Sequence, residues 1–352
     1  MACFFSPNGA ALYLFYFFNI KYFFSQTLFV TFVLLMKKYP FSWLSFCRVG
    51  NMFRLVGSYA LSVVFKRPIG SAYPYAASFE PANYCNLSCP QCPTGRKLIE
   101  KTAQQLSYAD FCYYVDALSP YLMYLNLYFQ GEPFLNRHLP QMIRYARAKK
   151  VMTCVSTNAH FLTDNVVAEL AQSGIDRLII CLDGATQASY EKYRVGGNFN
   201  KVVDAIKRCV DAHLPVEVQC LLLESTENEQ KAVESLVRNL GVTHFYFKKA
   251  QFYDDYLLPQ NEKNRRYYQL EDGKLRVKKA WKNRCFRMFS SVIVDVNGNL
   301  LPCCYDKFGH YSYGNIKEQS FRAVYWGEKA MRFRKRILVD RSSIDICRNC
   351  TE

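Results

Sequence analysis

Residues 75–92 read YAASFEPANYCNLSCPQC, and the reading of the whole chain turns on them. Ala76–Glu80 is a short apolar run stopped by Pro81, the pattern of a strand that enters a loop. The loop carries Cys85, Cys89 and Cys92 in C-x3-C-x2-C spacing. Three thiolates on one short loop can each bind one iron of a four-iron cubane and leave the fourth iron without a protein ligand. An open metal position marks a catalytic centre rather than a structural one. Catalysis in open sheets and barrels also sits at the carboxyl ends of strands, where this loop falls.

Outward from that loop the chain alternates strand and helix patterns. Further strands are expected at Met123–Phe129, Val151–Ser156, Arg177–Leu182, Val216–Leu223 and Thr243–Lys248, with helices near 107–118, 137–149, 163–173, 200–212 and 227–240. Six strands separated by helices predict a parallel sheet with right-handed crossovers. Leu178-Ile179-Ile180 and Leu221-Leu222-Leu223 suit strands covered on both faces. The parallel rhythm stops near residue 250. A charged, Tyr-rich connector (251–280) leads to a hairpin, Ser291–Asp295 and Leu300–Pro302 around Val296-Asn297-Gly298-Asn299. A helix over 319–336 and a Cys-containing tail follow, so a boundary is placed at 250–280, with 281–352 as a separate small domain.

The chain has 352 residues, 50% of them hydrophobic and 16% aromatic. That excludes a disulfide miniprotein, a collagen-like chain and a disordered one. Lys and Arg number 45 against 29 Asp and Glu, a net charge of +16. The surplus sits at the ends: residues 1–74 hold seven basic and no acidic residues, and residues 262–336 hold eighteen basic against seven acidic. No nucleic-acid reader motif accompanies it and the aromatics are not interleaved with the Lys and Arg, so no nucleic-acid partner is expected. The 15 cysteines fall in tight clusters or singly in apolar runs, which points to metal binding in the cytoplasm rather than a disulfide framework. Cys3, Cys47, Cys112, Cys154, Cys181, Cys209 and Cys220 are expected to be buried small hydrophobes.

Residues 11–35 (ALYLFYFFNIKYFFSQTLFVTFVLL) are long enough to span a bilayer, and Lys37 and Lys38 after them would keep the remainder on the cytoplasmic side. Two readings stand: translation starts at Met36, or the segment anchors the chain to the inner face of the membrane. In the next apolar stretch, 41–65, Val49, Met52, Phe53, Val56, Ala60, Val63 and Val64 recur at helical spacing, with Arg48 and Arg54 off that stripe. Such a helix either lies on an acidic membrane surface or packs on the domain that follows.

The motifs at successive strand ends, taken with the Cys loop, resemble the radical S-adenosylmethionine (SAM) superfamily. Gly131-Glu132-Pro133 ends the second expected strand and is similar to the family's Gly-Glu motif, which receives the methionine ammonium; a carboxylate suits a cation. Ser156-Thr157-Asn158 ends the third and resembles the segment beside the ribose. Leu182-Asp183-Gly184 ends the fourth, with Cys181 where the family commonly has Ser. Arg194 in YRVGGNF matches an arginine near the cofactor carboxylate, and Gln91 stands where the wider superfamily is often aromatic. The resemblance implies an incomplete (β/α)6 TIM-like barrel over 75–250, a [4Fe–4S] cluster on Cys85, Cys89 and Cys92, and SAM held by Gln91, Gly131, Glu132, Pro133, Ser156, Asn158, Asp183 and Arg194. His160, just past Asn158, is the histidine nearest this set in sequence.

The second cluster is Cys285, Gly298-x4-Cys303 and Cys347-x2-Cys350. It resembles the front half of the SPASM extension of radical enzymes, down to Gly314-Asn315, and the short form implies one auxiliary [4Fe–4S] cluster. A zinc ribbon uses the same four thiolates. Cys304 adjoins Cys303, and neighbours on a strand face opposite ways, so one of the two points at the centre. The resemblance implies a 5′-deoxyadenosyl radical that abstracts hydrogen, with the auxiliary cluster accepting an electron. It also implies a flavodoxin- or ferredoxin-type electron donor. Three functions remain open: dehydrogenation of a small polar substrate such as an amino-sugar or cyclitol alcohol, maturation of a peptide side chain, and non-catalytic electron carriage, for which a SAM pocket has no use.

Overall fold

The computed structural model describes residues 39–99, 102–269, 274–278, 282–348 and 350. The expected span at 11–35 and the alternative start at Met36 lie outside the described residues. No helix among the described residues is long and apolar enough to cross a membrane.

Six strands form the barrel arc: β1 (Ala76–Phe79), β2 (Tyr124–Asn126), β3 (Met152–Thr157), β4 (Arg177–Cys181), β5 (Val216–Leu222) and β6 (His244–Lys249). Each pairs in parallel with the next. The helices on the outside include α2 (Tyr108–Leu118), α3 (Leu139–Ala148), α4 (Asp164–Ser173), α6 (Phe199–Asp211) and α7 (Gln230–Asn239), preceded by α1 (Phe46–Phe65). Side-chain caps start several of them: Ser107 accepts from the Asp110 N–H, Thr163 from Val166 and Asn198 from Lys201. Phe79, Leu125, Val155, Ile180 and Val218 point outward into one core with Phe111, Ile143, Leu170 and Ile206 from the helices. Alternate residues of the same strands face the lumen, and there the wall is polar in places: Ser78, Asn126, Arg177, Glu217 and Gln219. An additional helix, α5 (Gln187–Tyr193), opens on a reciprocal Thr186–Ser189 cap. Its capping partner is Ser rather than Glu or Gln, which hides it from a sequence reading.

Helix α1 packs on this domain through a face that shares Val56 and Val63 with the expected apolar stripe but leaves Phe53 and Val64 of it outside. Leu55, Val56 and Tyr59 are buried, and so is Arg48, whose guanidinium donates to the carbonyls of Trp43, Ser119, Leu122 and Lys149. A cation with four carbonyl partners is satisfied inside, so the helix turns Arg48 inward and leaves Phe46, Phe53, Leu61 and Val64 exposed.

The C-terminal part does not leave the sheet. After a small hairpin, β7 (Tyr267–Gln269) and β8 (Leu275–Val277), and the short α8 (Arg287–Ser290), strand β9 (Ser291–Val294) pairs in parallel with β1, and β10 (Leu300–Leu301) pairs antiparallel with β9. The sheet order is β10-β9-β1-β2-β3-β4-β5-β6. A parallel strand thus returns after residue 250, because a partial barrel leaves the far edge of β1 unpaired and the apolar SVIV run covers it. The single helix expected over 319–336 is two, α9 (Phe321–Tyr325) and α10 (Glu328–Asp340), broken at Trp326-Gly327. A Cβ on Gly327 would stand 2.5 Å from the Ala323 carbonyl. A last short helix, α11 (Asp345–Arg348), ends the described chain apart from Cys350.

This topology fixes where the cysteines fall. Cys85 follows the carboxyl end of β1. Cys285 precedes the amino end of β9, a parallel neighbour, and Cys303 follows β10, which runs back to that same end. The two cysteine sets flank opposite ends of the same strands.

Candidate active site

At the carboxyl end, the Cys loop is pinned to the end of β2 by backbone contact. The Glu132 N–H donates to the Tyr84 carbonyl at 2.9 Å. Gly131 has φ +67°, and a Cβ on it would lie 2.4 Å from the Ala82 carbonyl, so the approach requires glycine. Glu132 is buried and joins β2 to β3: Oε1 accepts from the Thr157 hydroxyl (2.6 Å) and the Phe134 N–H (3.1 Å), and Oε2 from the Asn158 N–H (2.9 Å). Burial pushes its carboxyl above the usual range, against the pull of those donors. Three of the roughly four acceptor positions of this carboxylate are thus taken by the chain itself. Pro133, also buried, begins the turn Pro133–Leu135.

From the end of β3, the Asn158 side-chain amide donates to Asn86 Oδ1 at 2.8 Å and lies 3.6 Å from Cys85 Sγ. His160 holds Asn158 in turn: its N–H donates to Asn158 Oδ1 (3.1 Å) and its Nδ1 is 3.0 Å from the Asn158 carbonyl. Its Nε2 accepts from the Asn198 N–H at 2.8 Å, so the ring is neutral with its proton on Nδ1. Burial lowers its pKa from 6.5. Ser156 Oγ faces Cys181 Sγ at 3.7 Å.

From the end of β4, Asp183 Oδ2 accepts from Arg194 Nε at 2.6 Å and Oδ1 from the Leu221 N–H at 2.6 Å. Arg194 Nη1 is 3.8 Å from Cys89 Sγ. Burial pushes the Cys89 thiol up to about 12, and Arg194 is the group that pulls it down. Gln91 departs from the rest. Its amide nitrogen donates to Asp254 and to the Tyr256 carbonyl (2.9 Å), and its oxygen accepts from the Tyr253 N–H (3.0 Å). The side chain ties the Cys loop to the connector rather than joining Gly131, Asn158 and Arg194. Residues that sequence reasoning passed over are Asn86, Asp254 and Gly95, where a Cβ would stand 2.6 Å from the Cys89 nitrogen. The Gly in CPTG was the available signal for the last; the other two depend on contacts far apart in sequence.

At the opposite end, Cys285, Cys303, Cys347 and Cys350 line one small pocket with Met288, Phe333 and Ile337. Arg341 donates to Cys347 and to the Arg284 carbonyl (3.1 Å). Burial pushes the Cys347 thiol up to about 12, with Arg341 opposing it. Cys304 is not in this pocket; its Sγ lies 3.2 Å from Arg287 Nη1 on another wall. All the cysteines named here are free thiols. Among the described residues, no three His, Cys, Asp or Glu side chains close on a single point as the ligands of one ion would. Three thiols on one loop, with Asn158 and Arg194 beside them, and four thiols around one pocket fit donor sets for two iron–sulfur clusters.

A cavity of about 790 Å³ lies between the two ends. Ser78, Asn126, Tyr128 and Phe129 form its strand-side wall, and Cys285 and Cys304 its other side.

A partial barrel with this loop at its carboxyl end and a thiol pocket at the other is the architecture of an iron–sulfur protein with a cavity between its two centres. The Radical SAM superfamily description matches residues 79–236, and SPASM, an iron–sulfur cluster-binding domain, matches residues 285–351. The chain belongs to the radical SAM superfamily and carries a C-terminal SPASM domain. Its cofactors are a [4Fe–4S] cluster, SAM and an auxiliary iron–sulfur cluster. It is 22% identical to an AdoMet-dependent heme synthase of Methanosarcina barkeri over 174 residues, 49% of this chain and 50% of that protein. It spans about half or less of the length of the curated relatives it matches. Its fold is similar to that of BtrN in complex with AdoMet and 2-DOIA (TM-score 0.52, 19% identity, 80% of this chain and 94% of that one). It is also similar to Streptococcus suis SuiB bound to precursor peptide SuiA (TM-score 0.60, 13% identity, 81% and 71%).

Proposed function

We propose that this chain is a radical SAM oxidoreductase that takes a hydrogen atom from a substrate held in the lumen and hands the second electron to the auxiliary cluster. The observation that supports this is the 790 Å³ cavity, whose wall runs from Phe129, two residues before Gly131, to Cys285 and Cys304. When bound, SAM and the clusters supply a 5′-deoxyadenosyl radical and a one-electron acceptor. Cys85, Cys89 and Cys92 would hold the first cluster with three thiolates, and Cys285, Cys303, Cys347 and Cys350 the second with four, a ligand set that suits electron acceptance over substrate anchoring. Gly131, Glu132, Pro133, Ser156, Asn158, Asp183 and Arg194 form the SAM pocket, in which Asp183 fixes Arg194 and His160 fixes Asn158. Gln91 acts there through the connector. Lumen side chains exclude water from the substrate radical.

The test is anaerobic iron and sulfide quantification on reconstituted protein, with a dithionite assay for 5′-deoxyadenosine. About eight irons and SAM cleavage are expected. About four irons with one zinc would make the C-terminal centre structural, and eight irons without SAM cleavage would leave an electron carrier. Peptide maturation is the second reading; SuiB, of similar fold, binds a precursor peptide. A flavodoxin- or ferredoxin-type protein is the proposed electron donor.

We also infer membrane association through α1. Phe46 is 98% exposed, and Phe53 and Val64 share its outward face, on a segment with basic residues and no acidic one in residues 1–74. Cosedimentation with anionic vesicles is expected, weakened in Phe46→Ser/Phe53→Ser; equal binding by the double variant would refute it.

A further inference from the structure

A second arginine stands behind the four-thiol pocket. Arg334 lies on α10 between Phe333 and Ile337, both of which line that pocket, and it is fully buried. Its Nε donates to the carbonyl of Met288, also a pocket residue, at 3.2 Å, and its Nη1 to the Tyr325 carbonyl at 2.7 Å. The other contacts are ring faces: Cζ is 4.2 Å from the centre of the Tyr325 ring, 4.6 Å from Trp326, 5.5 Å from Phe289 and 5.7 Å from Tyr313. Nη2 is buried with no hydrogen-bond partner among the described residues, and so is the Tyr313 hydroxyl. The two carbonyls and four rings are neutral, so they orient the guanidinium without cancelling its charge. Burying a charge on neutral partners is costly, and an apolar side chain in such a place often stabilises a fold. The charge therefore calls for a use.

We propose that Arg334 raises the reduction potential of the auxiliary cluster and so makes the C-terminal centre a ready electron acceptor. This rests on the reading of Cys285, Cys303, Cys347 and Cys350 as its ligands and deepens it. Four thiolates give an iron–sulfur centre a net negative charge, and an accepted electron adds to it. A fixed cation close by, in a medium of low dielectric, therefore favours the reduced form. Arg334 and the thiols share one neighbour in Tyr313, whose pKa burial raises, Arg334 lowers, and Cys303 and Cys285 raise further. Arg341 reaches Cys347 itself, whereas none of the contacts of Arg334 is to a thiol. Arg334 thus acts through its charge and not by placing a ligand. A guanidinium keeps its proton at any working pH, which makes the bias permanent.

The test is a redox titration followed by electron paramagnetic resonance on the reconstituted full chain. The reduced signal that persists in Cys89→Ala belongs to the C-terminal centre. At the potential where that centre is half reduced in the parent, its reduced-to-oxidised ratio is expected to be about tenfold lower in the neutral variants Arg334→Met and Arg334→Gln. Arg334→Lys, which keeps the charge, should stay within about twofold of the parent. The drop should persist at high ionic strength, because a buried cation is little screened. A purely structural arginine gives another pattern: all three variants melt lower and the ratio does not move. Unchanged ratios in the neutral variants, an equal fall in Arg334→Lys, or a drop erased by salt would overturn the proposal. So would loss of folding or of C-terminal iron in both neutral variants or in Arg334→Lys, which would assign Arg334 to the core alone. The underlying reading is checked in the parent side chain at 334: zinc in place of iron, or no signal persisting in Cys89→Ala, would remove the four-thiol reading and this role together. Unchanged ratios beside a persisting signal would remove only the role of Arg334.

Discussion

The two cysteine centres are built by opposite means. The first takes three thiols from eight consecutive residues and surrounds them with polar groups that follow β2, β3 and β4, Glu132, Asn158 and Asp183, and with Arg194 from the end of α5. The second takes four thiols from 66 consecutive residues, 285 to 350, and packs them among Met288, Phe333 and Ile337 with one guanidinium, Arg341. Each centre thus has one arginine set against the burial of a thiol, Arg194 at Cys89 and Arg341 at Cys347. The difference is in what surrounds that pair. A centre that must admit a polar cofactor is ringed by oriented donors and acceptors, whereas the second is shielded by apolar side chains, which suits the electron-accepting role proposed for it.

The largest effect that can break this comparison is a paired substitution. Cys89→Ala is expected to abolish 5′-deoxyadenosine formation while retaining about four irons. Cys347→Ala is expected to keep SAM cleavage and stop product formation. Full turnover by the second variant would remove the electron-acceptor role. Next in size is Asp183→Asn, which leaves Arg194 buried without its counter-charge; a loss of about 3 kcal/mol or more is expected. Chemical denaturation checks it, and a change under 1 kcal/mol would show that Arg194 is held by other means. The smallest effect is at His160. Its folded pKa is depressed below the ordinary 6.5, so the unfolded chain binds the extra proton first. Its contribution to stability is therefore complete above pH 6.5 and is lost as pH falls through the folded value. The melting temperature should drop more steeply below pH 6.5 in the parent than in His160→Gln, and parallel curves would contradict this.

Legibility followed contact range. The strands and most helices were readable because hydrophobic period and caps are local, as with Ser107 and Thr163. Helix α5 was missed because its cap uses Ser, and the face of α1 was only partly read, through Val56 and Val63, because Arg48 is buried by carbonyls of Ser119, Leu122 and Lys149, far along the chain. The Cys85–Cys92 loop was visible from spacing. That Gln91 turns to Tyr253, Asp254 and Tyr256 was not, since a glutamine's neighbour residues do not say which of several polar partners its amide will find.

By itself the sequence determined the radical SAM class and the βα order and pointed to the thiols proposed for both clusters, because these rest on residue types at short spacing. The tertiary structure decided that β9 closes onto β1, that the two centres stand at opposite strand ends, and that Cys303 rather than Cys304 joins the four-thiol pocket. Those outcomes depend on which distant segments pair and which way alternate side chains face, and hydrogen-bonded register and packing set both only once the chain has closed on itself.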